Sequence, residues 1–72
     1  MSKYRKGARV SWKWASGTAS GKINESFTDD VERTIKGAKI KRKASNEEPA
    51  YLIKQDDGDR VLKSHSELTK EN

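Results

Sequence analysis

Apolar residues recur at every second position in several short stretches of the chain, and turns bearing glycine or aspartate separate those stretches. Val10, Trp12 and Trp14 alternate with Arg9, Ser11 and Lys13, and Ile23 and Phe27 fall on odd positions with Glu25 between them. Period two is the signature of a strand with one buried face. The clearest unit is Tyr51-Leu52-Ile53 and Val61-Leu62, joined by Gln55-Asp56-Asp57-Gly58-Asp59. Asp-Gly between β-formers is a strong hairpin signal, because glycine accepts the positive φ that a primed turn needs.

From the N-terminus, residues 1 to 6 read as a mobile polar arm. A strand from Ala8 to Trp14 turns at Ala15-Ser16-Gly17 into a second from Thr18 to Phe27, with Gly21 expected at a bulge or bend. Val31 to Ile35 and Lys39 to Arg42 flank Lys36-Gly37-Ala38, a second hairpin. After a polar connector, Pro49 sits at the start of a strand, where proline is tolerated, and Ala50 to Gln55 and Arg60 to Lys63 form the third hairpin. Ser64 followed three residues later by Glu67 has capping-box spacing and predicts one 3-10 turn. Leu68 then returns to the core and residues 69 to 72 are expected to fray. The reading is all-β, a small antiparallel barrel of five to six short strands over residues 7 to 69, with 70 to 72 as a tail. Its expected core is Val10, Trp12, Ile23, Phe27, Ile53, Val61 and Leu68.

Seventy-two residues make one domain near the lower limit for folding without disulfides or metal. The large apolar residues are therefore read first as core. The chain has no cysteine, which rules out a disulfide framework, a thiol nucleophile and a zinc-thiolate site. No apolar run approaches the length of a membrane span and no signal-peptide core is present, so a cytoplasmic, membrane-free monomer is expected.

Charge changes the picture more. The net charge is +5, and 12 of the 16 bases fall in two acid-free blocks, residues 1 to 22 and 33 to 43. Arg33, Lys36, Lys39, Lys41, Arg42 and Lys43, extended by Arg9 and Lys13 on the outward face of the first strand, are candidate phosphate contacts for a nucleic acid. The bland alternative is a solvated ribbon whose lysines guard an exposed edge. Asp56, Asp57 and Asp59 lack EF-hand spacing and are read as turn chemistry. His65 is the only histidine, so it is assigned a capping or packing role and no metal or cofactor is expected. Paired carboxylates at Asp29-Asp30 and Glu47-Glu48 sit in loops without a pocket to tune them. No catalytic motif is present.

Gly7-Ala8-Arg9-Val10-Ser11-Trp12-Lys13-Trp14, Thr18-Ala19-Ser20-Gly21-Lys22-Ile23, Arg33-Thr34-Ile35-Lys36-Gly37 and the run from Pro49 to Gly58 into Val61 to Leu68 together carry a resemblance. The chain resembles the hypervirulence-associated protein Tudor domain family over roughly residues 5 to 69. That resemblance implies an SH3-like, Tudor-type barrel. Tudor-type barrels can use aromatic cages, in which a methylated cation is held over ring faces. Trp12 and Phe27 are assigned to the core. Trp14 and Tyr51, each near a strand end where a ring can stay half exposed, are the candidate peptide-binding residues.

These observations define a non-enzymatic binding module. Its leading version is a nucleic-acid-associated basic surface. The alternative is a peptide or protein reader using Trp14 and Tyr51, with an acidic or methylated protein as partner.

Overall fold

The computed structural model describes residues 4–71; the first three residues of the expected arm and Asn72 of the expected tail lie outside the described residues. The elements are β1 (Arg9–Trp14), β2 (Gly17–Phe27), β3 (Val31–Ile35), β4 (Ala38–Arg42), β5 (Ala50–Gln55), β6 (Arg60–Ser64), a 3-10 turn (His65–Glu67) and β7 (Thr69–Lys70). The all-β reading and its three hairpins are present, and every strand pairing is antiparallel. No helix of the described residues is long and apolar enough to cross a membrane.

The strands form two sheets, one of five strands in the order β6-β5-β2-β1-β7 and one of two, β3-β4. The expected barrel is therefore not closed by a continuous ladder. Instead the β3–β4 hairpin lies on the larger sheet through side chains, with Val31, Ile35 and Ile40 packing against Ala50, Leu52 and Leu62. A second cluster, Val10, Trp12, Ile23, Tyr51, Ile53 and Leu68, forms the rest of the core. β5 supplies both clusters, alternate residues going to each, so four of its six residues are buried in succession. A central strand covered on both faces reads as a continuous apolar run, and Ala50-Tyr51-Leu52-Ile53 is that run.

Turn chemistry explains the hairpins one by one. Lys36 and Gly37 have φ of +52° and +78°, the two positive values that a primed two-residue turn requires. In the third hairpin only Gly58 has positive φ, at +95°. Gly58 N–H donates to Gln55 O at 2.9 Å, so the turn is centred on Asp56-Asp57 and the glycine follows it. The expected primed turn at Asp57-Gly58 is corrected accordingly, since a type I turn followed by a left-handed residue joins strands equally well.

Four further expectations are corrected. Gly21 is in regular register with Val10 and Gln55, and the bulge lies between Ile23 and Glu25. Gly21 is needed for close approach, because a Cβ there would press on Lys54 O and come within 2.9 Å of Ile53 Cγ2. Phe27 and Val61, expected in the core, are only partly buried against it, whereas Val31, Ala50, Tyr51, Leu52 and Leu62 are fully part of it. Thr69–Lys70 does not fray: it pairs with Ser11 and Val10, and Glu71 N–H donates to Arg9 O at 2.9 Å. Tyr4, placed in the mobile arm, is docked, with its hydroxyl donating to Leu68 O at 3.2 Å and its ring 4.8 Å from that of His65.

Candidate functional site

Trp14 ends β1 with 60% of its surface exposed, and among the described residues it is the exposed large hydrophobic side chain. Its strand neighbour Trp12 is 5% exposed. The difference follows from position, since Trp12 lies opposite Ala19 within the ladder while Trp14 pairs with Gly17 at the mouth of the β1–β2 turn and has no side chain across from it. Beside Trp14 is a recess of about 370 Å³ that Trp12, Asp57, Asp59, Val61 and Lys63 also line. The β5–β6 turn thus brings two carboxylates to the exposed indole. Asp57 Oδ1 accepts the N–H of Asp59 at 2.9 Å, which fixes the turn. Asp59 meets Lys36 Nζ at 2.6 Å, and this hydrogen bond raises the Lys36 ammonium above its ordinary value.

Tyr51 is not part of that recess. It is fully buried, so its expected half-exposed ring is corrected: β5 is the middle of the core rather than its margin. Its hydroxyl receives the Tyr4 N–H at 3.3 Å and lies 3.0 Å from His65 Nδ1. Burial pushes the phenol's pKa upward. His65 thereby has the packing role assigned to it, within a group of three tilted rings.

The candidate basic residues do not form one continuous surface. Arg9 is held between Asp56, at 3.0 Å, and Glu71, at 3.5 Å. The hydrogen bond between them raises the Arg9 pKa and lowers that of Asp56. Arg33 lies over the Phe27 ring, 4.8 Å from its centre. Lys36 is paired with Asp59, and Arg42 Nε is 3.6 Å from Glu67. In the β3–β4 register Arg33 and Arg42 face the same side as Val31 and Ile40, against the larger sheet, while Lys39 and Lys41 share the outer side with Thr34 and Glu32. Lys13, Lys39, Lys41 and Lys43 are exposed. Alternation therefore divides what looks in the sequence like one run of cations into two opposite faces.

Asp57 and Asp59, read as turn residues, were the part of the recess that sequence reasoning missed. Nothing local marks them; only the register of β5 on β2 carries their turn to the end of β1.

Among the described residues the two-sheet β domain sets one exposed indole beside two carboxylates, an arrangement of the kind that small binding modules carry. The model of the hypervirulence associated proteins TUDOR domain matches residues 7–68, nearly the whole chain, and the protein belongs to that family. No curated protein and no solved structure matches it.

Proposed function

We propose that this module reads a cationic side chain, a methylated lysine or arginine of a protein partner, in the recess between Trp14 and the Asp57–Asp59 turn. The observation that supports it is the exposed Trp14 indole standing in one recess with two carboxylates. A single ring face stabilises a cation by about 0.5–1 kcal/mol at an exposed site. Asp57 adds the Coulomb attraction that a one-ring site lacks, Asp59 being shared with Lys36. Methylation favours the indole because it spreads the charge over a larger apolar surface that sheds water more easily. The family's Tudor-type character agrees with such a reading, and we take the two-sheet arrangement as an opened relative of the SH3-like barrel.

The test is a titration of short trimethyllysine, dimethylarginine and unmodified peptides, followed by indole fluorescence and backbone amide shifts. Saturable binding that favours the methylated peptides, is lost in Trp14→Ala and is weakened in Asp57→Asn is the expected result. Because Trp14 is largely exposed, its removal leaves the fold intact. An equal response from Trp14→Ala and the parent protein overturns the assignment.

The second reading, a nucleic-acid surface, is supported by Lys39 and Lys41 on the outer side of the β3–β4 ribbon, with Lys43 beyond its end.

A further inference from the structure

β6 is an edge of the five-stranded sheet and, among the described residues, pairs with β5 alone. Gln55 N–H donates to Asp59 O at 2.6 Å, and residues 55 and 59 stand opposite each other in the same register as Ile53 and Val61. Antiparallel pairs alternate between bonded and non-bonded, so Val61 and Lys63 spend their backbone groups on β5 while Arg60, Leu62 and Ser64 turn theirs outward. Ser64 N–H donates to Glu67 Oε1 at 2.8 Å, as an outward amide must, which closes the site at that end. The N–H and C=O groups of Arg60 and Leu62 form no ladder among the described residues.

That edge opens into a groove of about 310 Å³ between β6 and the β3–β4 hairpin. Four consecutive residues, Arg60 to Lys63, line it, the pattern of a strand presenting its edge rather than one face. Ile35, Ile40 and Leu62 supply an apolar surface, and Lys36, Arg42, Arg60 and Lys63 stand around it with Asp59 as the single acid. Glu67 approaches Arg42 and Lys63, at 3.6 and 3.8 Å, and Asp59 takes Lys36, while Arg60 has no ion pair among the described residues. Arg42 Nε is enclosed and makes no hydrogen bond, its charge facing Glu67 at 3.6 Å.

We propose that the β6 edge is a strand-acceptor site for an extended segment of another protein in which carboxylate side chains alternate with apolar ones. The backbone of that segment pairs with Arg60 and Leu62, its apolar side chains meet Ile35, Ile40 and Leu62, and its carboxylates meet Arg60, the groove cation that no acid holds among the described residues. Strand addition of this kind takes its affinity from main-chain hydrogen bonds and its specificity from alternate side chains. A second copy of this chain is the poorer occupant, since β6 against β6 gathers Arg60 and Lys63 of both copies on one ribbon with no acid on the strand. The groove adjoins the Trp14 recess, sharing Asp59, Val61 and Lys63 with it, but carries the opposite sign of charge, four cations to one acid against two acids to one cation.

The probe is acetyl-Glu-Val-Glu-Val-Glu-amide, titrated into the full chain and followed by amide hydrogen exchange and chemical shifts. Arg60 and Leu62 amides should exchange freely without peptide and slow by about tenfold or more when it saturates. The lysine-for-glutamate peptide, and one N-methylated at alternate amides, should do neither. Arg60→Glu should weaken binding by about threefold to fivefold, the worth of one exposed ion pair, at unchanged melting temperature. Trp14→Ala should leave the effect at β6 intact, which separates this site from the one proposed above. The assignment is overturned if Arg60 and Leu62 are already as protected as Ile53 without peptide, if shifts concentrate at Trp14, or if the N-methylated peptide binds equally.

Discussion

Ile23 and Phe27 lie four positions apart on β2 and pack into different clusters, Ile23 with Val10, Trp12, Tyr51 and Ile53, and Phe27 against Val31, Ala50, Leu52 and Leu62. Strict alternation would place both on one face. The bulge at Asn24 prevents it: Ile23 faces Ile53 but Glu25 already faces Leu52, so one extra residue in β2 shifts the phase of all that follows. Two clusters that do not share partners should respond independently to small cavities. Ile23→Val and Phe27→Leu are expected to add within about 0.5 kcal/mol in a urea-denaturation cycle, as separated sites do. Ile23→Val with Ile53→Val, directly opposed in one cluster, should depart from additivity by about 0.5 kcal/mol or more. Coupling between Ile23 and Phe27 as large as between Ile23 and Ile53 would contradict the divided core.

Gly21 and Gly17 are both strand glycines, yet only one is constrained. A methyl on Gly17 meets nothing within 4 Å, while one on Gly21 presses on the Lys54 carbonyl and the Ile53 side chain. The obstacle at Gly21 is backbone and cannot rotate away. Gly21→Ala should therefore destabilise by about 1–3 kcal/mol, the range for overpacking, and Gly17→Ala by less than about 0.5 kcal/mol. Thermal melts of the two variants side by side decide it; equal melting temperatures would place Gly21 outside the β2–β5 contact.

The contrast with the sequence reading is local. The hairpins were legible because their signals are contiguous: Lys36-Gly37, Asp57-Gly58 and the alternation around Val10 need no distant partner. Ser64 and Glu67 likewise announce the single 3-10 turn. The Asn24 bulge was illegible, since nothing in Ile23-Asn24-Glu25 distinguishes an extra residue from a regular one, and Phe27 was consequently placed on the wrong face. Tyr51 was misjudged for a related reason: a ring near a strand end is exposed on an edge strand and buried on a central one, and the order of strands comes from long-range pairing. The same holds for Asp56 and Asp59, whose partners Arg9 and Lys36 are 47 and 23 residues away. The exposure of Trp14, at the end of an alternating run and beside a turn, is what local pattern does reveal.

Arg9 and Asp56 give the acid limb of the stability profile a signature. The hydrogen bond from Arg9 holds the Asp56 carboxyl below its ordinary 3.8. A carboxyl whose folded value is lowered contributes stability that is present above the unfolded value and is lost as pH falls through the folded one. Asp56→Asn should thus be less stable than the parent at neutral pH, and the two should converge as pH drops below about 3.8, where the parent's carboxyl also becomes neutral. Both groups are exposed, so the gap should shrink as salt is added. Denaturation midpoints from pH 2 to 7 at low and high salt provide the measurement, and a gap that persists at the acid end would assign the effect to something other than this pair.

For the β3–β4 ribbon, the faces set a limit on phosphate contacts. Arg33 is spent on Phe27, Lys36 on Asp59 and Arg42 on Glu67, and Glu32 stands directly across from Lys41 on the outer side. Lys39, Lys41 and Lys43 are then the contacts the hairpin can offer to a duplex or single strand. Each phosphate neutralised on duplex DNA contributes about −0.9 to the slope of log affinity against log salt, so three lysines allow a slope no steeper than about −2.7. Replacing all three with glutamine should flatten the slope to near zero while leaving the melting temperature unchanged, because none of the three supports the core. The binding, where it occurs, should be indifferent to sequence, since phosphates rather than base edges are reached. A slope well beyond that bound, retained in the glutamine variant, would show that Arg33 or Arg42 leaves the larger sheet to meet nucleic acid and that the ribbon is not fixed as its register places it.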